Sequence, residues 1–261
     1  MRVLDLFSGI GGFSLGLQRA GMETVAFCEY DKKCRQVLKK HWPDVPQYED
    51  VRTLTKEQLD TDGITDIGLI CGGYPCQPFS TAGKRQGEAD DRALWKEYFR
   101  LVKEIRPTWV IAENVAGHIS MGIDNVLADL EGEDYAIQTF VIPACAVGAY
   151  HRRDRVWIIA NANFRRGCGE NGSRRRENVA DALHSRLQRR QETEHITVSR
   201  KKQNKLLTRC DQRSKPGNWL SEPAVGRVAN GISGRVDRLK QLGNAVVPQI
   251  PEMIGNLIND C

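Results

Sequence analysis

The sequence has eight cysteines but no C-x-x-C pair, and no histidine stands at the spacing of a zinc finger. The cysteines, at positions 28, 34, 71, 76, 145, 168, 210 and 261, therefore read as reduced thiols rather than as a disulfide scaffold or a zinc framework. Also missing is any apolar run near the roughly 18 residues that a membrane span needs. The opening Met1-Arg2-Val3-Leu4-Asp5-Leu6 lacks a signal peptide's apolar core, so a cytoplasmic protein with no membrane partner is expected. With 40% hydrophobic and 27% charged residues, the composition excludes collagen, coiled coil and simple disorder. At about 150 residues per domain, the 261 residues make one large α/β domain or one domain carrying a smaller insertion.

Charge of either sign is nearly balanced overall, at a net +5, but not along the chain. From Asn161 to Val225 there are 15 Lys/Arg against 7 Asp/Glu, a net +8, which leaves the remainder with 23 against 26, a net −3. A local cationic excess suits a polyanionic partner, because each neutralised phosphate releases counterions and adds affinity. A solvated loop would read the same on charge alone.

The first half alternates short apolar runs with helical stretches. Strands are predicted at Arg2 to Phe7, Thr24 to Cys28, Ile67 to Cys71, Trp109 to Ala112, Ala136 to Ile142 and Val156 to Ala160. Helices are predicted from the Ser8-Gly9-Ile10-Gly11-Gly12 turn to Ala20, over Asp31 to His41, and around Arg92 to Ile105 and Ile123 to Leu130. This alternation implies a largely parallel sheet covered on both faces. Residues 163 to 218 then have few apolar positions, many Arg and Gly, and no sustained period, as expected of an insertion. Apolar sequence resumes near Trp219, and Gln241 to Ile250 leads into a helix that can pack on the core.

Three loops stand where open α/β sheets place their ligands, at the carboxyl ends of strands. The first is Phe7-Ser8-Gly9-Ile10-Gly11-Gly12, whose glycines let the backbone approach a ligand. A dinucleotide fingerprint would need glycine where Ser14 stands, so a nucleoside ligand without pyrophosphate fits better, with Glu29 in the position of a ribose-binding carboxylate. Many βαβ units carry such a turn and such an acid for packing and solvation alone. The second is Gly72-Gly73-Tyr74-Pro75-Cys76-Gln77-Pro78-Phe79-Ser80. A lone cysteine is usually a small buried hydrophobe, and Cys71 reads that way, whereas Cys76 lies between two prolines in a polar loop and is a candidate nucleophile. The third is Ala112-Glu113-Asn114-Val115, in which Glu113 is either a helix cap or a general acid whose pKa burial would raise. Before Val156, an extended Tyr150-His151-Arg152-Arg153-Asp154-Arg155 would turn Arg153 and Arg155 to one face and Arg152 and Asp154 to the other, unless it is only a charged strand end.

Taken in order, DLFSGIGG, the glutamate of FCEYD, the aspartate of YEDV, GGYPCQPFS, AENV, an R-x-R strand, a basic region and LGNAVVPQI closely resemble the DNA (cytosine-5)-methyltransferases of prokaryotic or phage type. The resemblance covers roughly residues 3 to 160 and 219 to 250. It implies an α/β fold, a Rossmann-like S-adenosyl-methionine-dependent methyltransferase sheet with helices on both faces, plus a small basic target-recognition region. It divides the chain into a catalytic and cofactor-binding domain (1–160), a target-recognition region (161–225) and a C-terminal segment that returns to the catalytic domain (226–261). By the same resemblance Cys76 adds to C6 of cytosine, Glu113 bonds N3, Arg155 contacts O2 and Arg153 supports the thiolate and nearby backbone. On the cofactor side Phe7 packs on adenine, Ser8, Gly9, Ile10, Gly11 and Gly12 hold the methionine portion, and Glu29 binds the ribose. Tyr30 and Val51 flank the adenine, Asp50 accepts from its amino group, and Pro75, Leu94 and Asn244 close the pocket. The implied partners are S-adenosyl-methionine and double-stranded DNA, met by a monomer with no obligate protein partner.

Two features depart from the family pattern. Tyr150-His151 stand where the family has Pro-Gln, and the recognition region is short and poor in apolar residues. Three other readings are weighed against the leading one. A branch of the family acting on tRNA is marked by a Cys-Phe-Thr tripeptide that is absent from the recognition region. A catalytically silent DNA-binding relative would have lost Cys76 or Glu113, and both are present. A nucleotide-dependent oxidoreductase is disfavoured by Ser14 and leaves PCQPFS unexplained.

Overall fold

The structure is a computed structural model that describes residues 1–75, 88–162 and 242–260, with only the backbone of 88–93, 120 and 121. Cys76, the expected insertion at 163–218 and the apolar stretch from Trp219 to Gln241 lie outside the described residues.

Seven strands form one sheet: β1 (Arg2–Leu6), β2 (Glu23–Cys28), β3 (Gln47–Tyr48), β4 (Ile67–Gly72), β5 (Trp109–Val115), β6 (Ala136–Ile142) and β7 (Arg155–Asn161). Their order is β3-β2-β1-β4-β5-β7-β6. The first five pair in parallel, whereas β7 runs antiparallel to both β5 and β6. The sheet is therefore mixed rather than uniformly parallel. The reason lies in the β6–β7 connection, which holds only a 3-10 turn (Ala144–Val147) and no crossover helix.

The helices are α1 (Gly12–Arg19), α2 (Lys32–His41), α3 (Lys56–Thr61), α4 (Glu88–Ile105), α5 (His118–Met121), α6 (Ile123–Gly132) and α7 (Gln249–Asn259). Asp31 caps α2 by accepting from the Lys33 and Cys34 amides, and Thr55 caps α3 by accepting from the Gln58 amide. Neighbouring side chains along each central strand enter opposite cores. Leu4, Leu6, Ile70, Val110 and Val156 join Leu59 of α3, Tyr98 and Leu101 of α4 and Leu130 of α6 in one core. Val3, Leu69, Ile111 and Trp157 join Phe13 and Leu17 of α1 and Ile250, Ile254 and Leu257 of α7 in the other. The C-terminal helix is thus built into the face that α1 covers, which accounts for its apolar positions. Among the described residues no helix is long and apolar enough to cross a membrane, and Cys28 and Cys71 are buried free thiols.

Three local expectations are corrected. β1 stops at Leu6, because Phe7 takes a left-handed backbone with φ 52°. β3 and α3 are not predicted from the sequence; β3 has two half-buried polar residues, and α3 buries only Leu59. Arg153 is not extended: its φ is 41°, and β7 begins only at Arg155.

Candidate active site

The carboxyl ends of β2, β1, β4 and β5 lie side by side, with Leu6 level with Cys28 and Gly72, and Gly72 level with Ala112. The chain order reverses across β1 and β4, and such a reversal opens a crevice above the sheet. Two of the three segments singled out in the sequence leave the sheet at this edge, whereas the third, Ala112 to Val115, is the last part of β5 itself and not a loop beyond a strand that ends at Ala112.

On one side of the crevice, Gly9 has φ 54° and Gly11 φ 85°, conformations that a side chain would strain, and a Cβ on Gly9 would meet nothing within 4 Å. The turn is tied to the end of β2 because the Gly9 N–H donates to Glu29 Oε2 at 2.7 Å. The other oxygen of Glu29 accepts from the Asp31 N–H at 2.7 Å. Burial pushes the Glu29 carboxyl above its ordinary range, and these two N–H donors oppose the rise. Phe7 stacks on Tyr98 of α4 with ring centroids 6.4 Å apart, and Ser8 is buried with its hydroxyl donating to the Asp5 carbonyl. Ile10 is half-buried, and Gly12 opens α1 against the Val246 carbonyl of the C-terminal segment. Val51 is buried, and its carbonyl accepts from Arg100 at 2.9 Å. Leu94 is half-buried on α4, whereas Tyr30, Pro75 and Asn244 are exposed. The Asp50 carboxylate is turned to its neighbour Arg52, whose guanidinium donates to both oxygens and holds the carboxyl below its usual range.

Ser14, the departure from a dinucleotide fingerprint, has a structural role. Its hydroxyl donates at 2.6 Å to Oδ2 of Asp5, a carboxyl wholly buried in β1, while Oδ1 has no hydrogen-bond partner among the described residues. Burial pushes Asp5 up to about 7, the Ser14 bonds offsetting part of the rise. A charged residue inside the apolar Val3-Leu4-Asp5-Leu6 run was the available signal for this pair.

On the other side of the crevice Glu113 sits near the end of β5, 9% exposed. Arg155 at the start of β7 lies beside it, because these antiparallel strands set Glu113 level with Trp157. The Arg155 Nε donor is 3.0 Å from Glu113 Oε1. Burial raises the Glu113 pKa, and the charges of Arg155 and then Arg153 oppose that rise. Both arginines are therefore within electrostatic reach of the carboxyl, though not by the alternation of an extended strand. Arg152 turns away and pairs with Asp154 at 3.0 Å. Arg153 reaches the C-terminal segment instead, donating to the Gly243 carbonyl at 2.7 Å and the Ala245 carbonyl at 2.9 Å.

The strand that leads toward Cys76 is fitted against Glu113. A Cβ on Gly73 would come 3.0 Å from Glu113 Oε2, so glycine is what allows this approach. Asn114, buried next to Glu113, donates from Nδ2 to the Tyr74 carbonyl at 3.2 Å and accepts from the Val115 N–H. Tyr74 Oη is hydrogen-bonded to His118 Nε2 of α5 at 2.8 Å. Neither Asn114 nor His118 was singled out for this purpose by the sequence, since each acts on a loop about 40 residues earlier.

Comparison with known proteins gives the family. The sequence model of the family described as C-5 cytosine-specific DNA methylase matches residues 1–224. Type II methyltransferase M.FnuDI of Fusobacterium nucleatum is 34% identical over 165 residues, 61% of this chain and 46% of that protein. M.HhaI of Haemophilus parahaemolyticus is 33% identical over 168 residues, covering 62% and 50%, and M.AquIA of Picosynechococcus is 34% identical over 177 residues, covering 61% and 71%. The chain thus spans about half the length of M.FnuDI and M.HhaI. Among solved structures, a DNA modification methyltransferase encoded within an E. coli prophage superimposes with a TM-score of 0.55 at 30% identity, over 70% of this chain and 54% of that one. S. pombe Dnmt2 methyltransferase shares the fold at a TM-score of 0.54 and 21% identity, over 77% and 57%. With residues 1–224, more than half of its length, matched by one family model, the chain belongs to the C-5 cytosine-specific DNA methylases.

Proposed function

We propose that this chain transfers a methyl group from S-adenosyl-methionine to C5 of a cytosine in double-stranded DNA. The observation that carries the reading is the pairing of buried Glu113, near the end of β5, with half-buried Arg155 of β7, its carboxyl close enough to Gly73 that a Cβ there would come 3.0 Å from Oε2.

The residues beside β1 and β2 fit the cofactor. Open space stands over Gly9, and the Glu29 carboxylate spends one bond per oxygen on backbone N–H groups, leaving lone pairs for two ribose hydroxyls. Phe7 and Val51 supply apolar surface for the adenine. The Ser8 to Gly12 turn would receive the methionine portion, and Tyr30, Asp50, Pro75, Leu94 and Asn244 would border the pocket, Asp50 after sharing or releasing Arg52. S-adenosyl-methionine, when bound, supplies the electrophilic methyl group.

C5 of cytosine is a poor nucleophile, and the chain's residues would overcome this by covalent catalysis. The Cys76 thiolate gives an electron pair to C6, and the electrons of the C5–C6 double bond move toward C5 and the N3 side of the ring. Glu113, whose pKa burial raises, hydrogen-bonds N3 and offsets the charge that gathers there. Arg155 orients Glu113 and bonds the base's O2, while Arg153 fixes the 243–245 backbone that borders the site. C5 would then take the methyl group, the electrons of the broken S–CH3 bond staying on sulfur as S-adenosyl-homocysteine; the C5 proton leaves to water or another base, the C5–C6 double bond re-forms and Cys76 departs as thiolate. A base stacked in a duplex cannot meet these groups, so the target cytosine must be flipped out. The net +8 of residues 161–225 suits them to contact the phosphates as the target-recognition region, between a catalytic unit (1–160) and a returning segment (226–261).

The test is transfer of labelled methyl from S-adenosyl-methionine to mixed-sequence duplex DNA, followed by bisulfite mapping. Label confined to cytosine C5 in a fixed sequence context supports the reading. No label on any duplex, or full activity in Cys76→Ser, overturns it.

A further inference from the structure

The chain between β4 and Cys76 is held by a contact that the proposed chemistry does not itself require. Tyr74 is 4% exposed, with its ring 5.0 Å from that of Trp95, 6.3 Å from that of Tyr98 and 5.5 Å from that of His118. Phenylalanine would fill the same space without bringing a hydroxyl into the core, and a buried hydroxyl destabilises unless it is paired. Here it is paired with His118, itself 9% exposed on the short helix that follows the Glu113-Asn114-Val115 end of β5. The backbone of the same residue is gripped a second time by Asn114. One tyrosine, two positions before Cys76, is therefore tied at both ends to the segment that carries Glu113.

We propose that Tyr74 and His118 form a positioning pair that fixes the chain leading into Cys76 relative to the Glu113 carboxyl. The geometry explains why two ties are needed. Gly73 leaves its backbone against Glu113 Oε2, so a small rotation of this chain changes the distance between the two halves of the site. Asn114 restrains the Tyr74 carbonyl, and the bond to His118 fixes the far end of a ring already packed against Trp95 and Tyr98. The aromatic contacts also run from Tyr74 through Tyr98 to Phe7, linking the same anchor to the cofactor-side turn. Both side chains are buried, so the pair acts through the chain it holds.

The inference rests on the proposed role of Cys76, and the two fail differently. The variants are Tyr74→Phe, His118→Phe, the double variant, and His118→Gln, which keeps a hydrogen-bonding side chain. Because replacing both partners of a buried bond by apolar groups is close to neutral for stability, the double variant should melt near the wild-type temperature. Each single variant and the double should lower kcat of methyl transfer by about tenfold, the double no further than the singles, as loss of one hydrogen bond predicts. KM for S-adenosyl-methionine and DNA should stay within about twofold, and His118→Gln should recover most of kcat. Amide exchange at Gly73 and Tyr74 should quicken in the same order of variants. Singles that keep full kcat, effects that multiply in the double variant, or a loss that follows melting temperature instead of the bond would overturn the pair's role. If the wild-type chain methylates nothing, the functional reading falls, and unchanged exchange at Gly73 and Tyr74 would still sink the positioning claim independently.

Discussion

Arg155 Nε lies 3.0 Å from Glu113 Oε1, and the two residues come from antiparallel strands that the chain reaches about 40 residues apart. This pair bears on the protonation of the carboxyl that the proposed mechanism sets against N3 of the base. Burial raises its pKa, and the charge of Arg155 opposes that rise.

Replacing Glu113 by Gln should reduce kcat by about 10²- to 10⁴-fold, the range for a lost general acid. Arg155→Ala removes the charge that opposes burial, so Glu113 should stay protonated to higher pH. The alkaline limb of the kcat profile should then move upward while its height falls. An unmoved limb in Arg155→Ala would separate Glu113 from that limb.

Glu29→Gln tests the cofactor side. The variant keeps its shape but loses the charge that receives hydroxyl donors, so S-adenosyl-methionine should bind about 10- to 100-fold more weakly by calorimetry, as for a lost charge-assisted bond. Affinity for DNA should hold. Equal cofactor affinity in the variant would remove Glu29 from the site.

Asp5 makes stability depend on pH. The folded chain holds its proton up to about pH 7 and the unfolded chain releases it near 3.8, so between these values the native state binds more protons. Stability should therefore fall as pH rises through that window, by on the order of 4 kcal/mol in all, and level off above it. Urea titrations from pH 5 to 8 should show this slope in the wild type and a flatter one in Asp5→Asn.

Arg153→Ala should loosen the C-terminal segment without touching Glu113 directly. With the Gly243 and Ala245 carbonyls released, amides of residues 242–247 should exchange at least about tenfold faster, and those of β5 should not. Protection unchanged at 242–247 would mean that the α7 packing holds this segment alone.

Much of the fold was legible because the central strands are apolar runs with few competing patterns. Ile67 to Cys71 and Trp109 to Ala112 could be nothing but buried strands, and Glu29 and Glu113 stand where such strands end. The two polar residues of β3 and the single buried Leu59 of α3 carry too little periodicity to be seen alone. The direction of β7 depends on its connection, and the left-handed Arg153 on its contacts with Gly243 and Ala245; neither is a local property of the sequence. Ser14 could be recognised as a departure from one motif, but its reason, the buried Asp5, emerges only when β1 and α1 pack. The Tyr74–His118 bond joins residues 44 apart and has no spacing signature.

The basic segment gives a prediction independent of the chemistry. Replacing arginines between Arg165 and Arg213 by Ala should weaken DNA binding and reduce the slope of log K against log salt by about 0.9 for each phosphate that is no longer neutralised. Cofactor binding should not change. A slope that stays the same would assign DNA binding to another surface.

The central claim is the covalent bond between Cys76 and the cytosine ring. Incubation of the protein and S-adenosyl-methionine with duplex DNA containing 5-fluorocytosine tests it most directly, because fluorine cannot leave C5 as a cation and the intermediate cannot resolve. The expected result is a denaturation-resistant protein–DNA adduct, mapped by mass spectrometry to the peptide carrying Cys76 and absent in Cys76→Ser. Methylation of ordinary duplex DNA with no adduct on the fluorinated duplex, or an adduct that survives in Cys76→Ser, would contradict it.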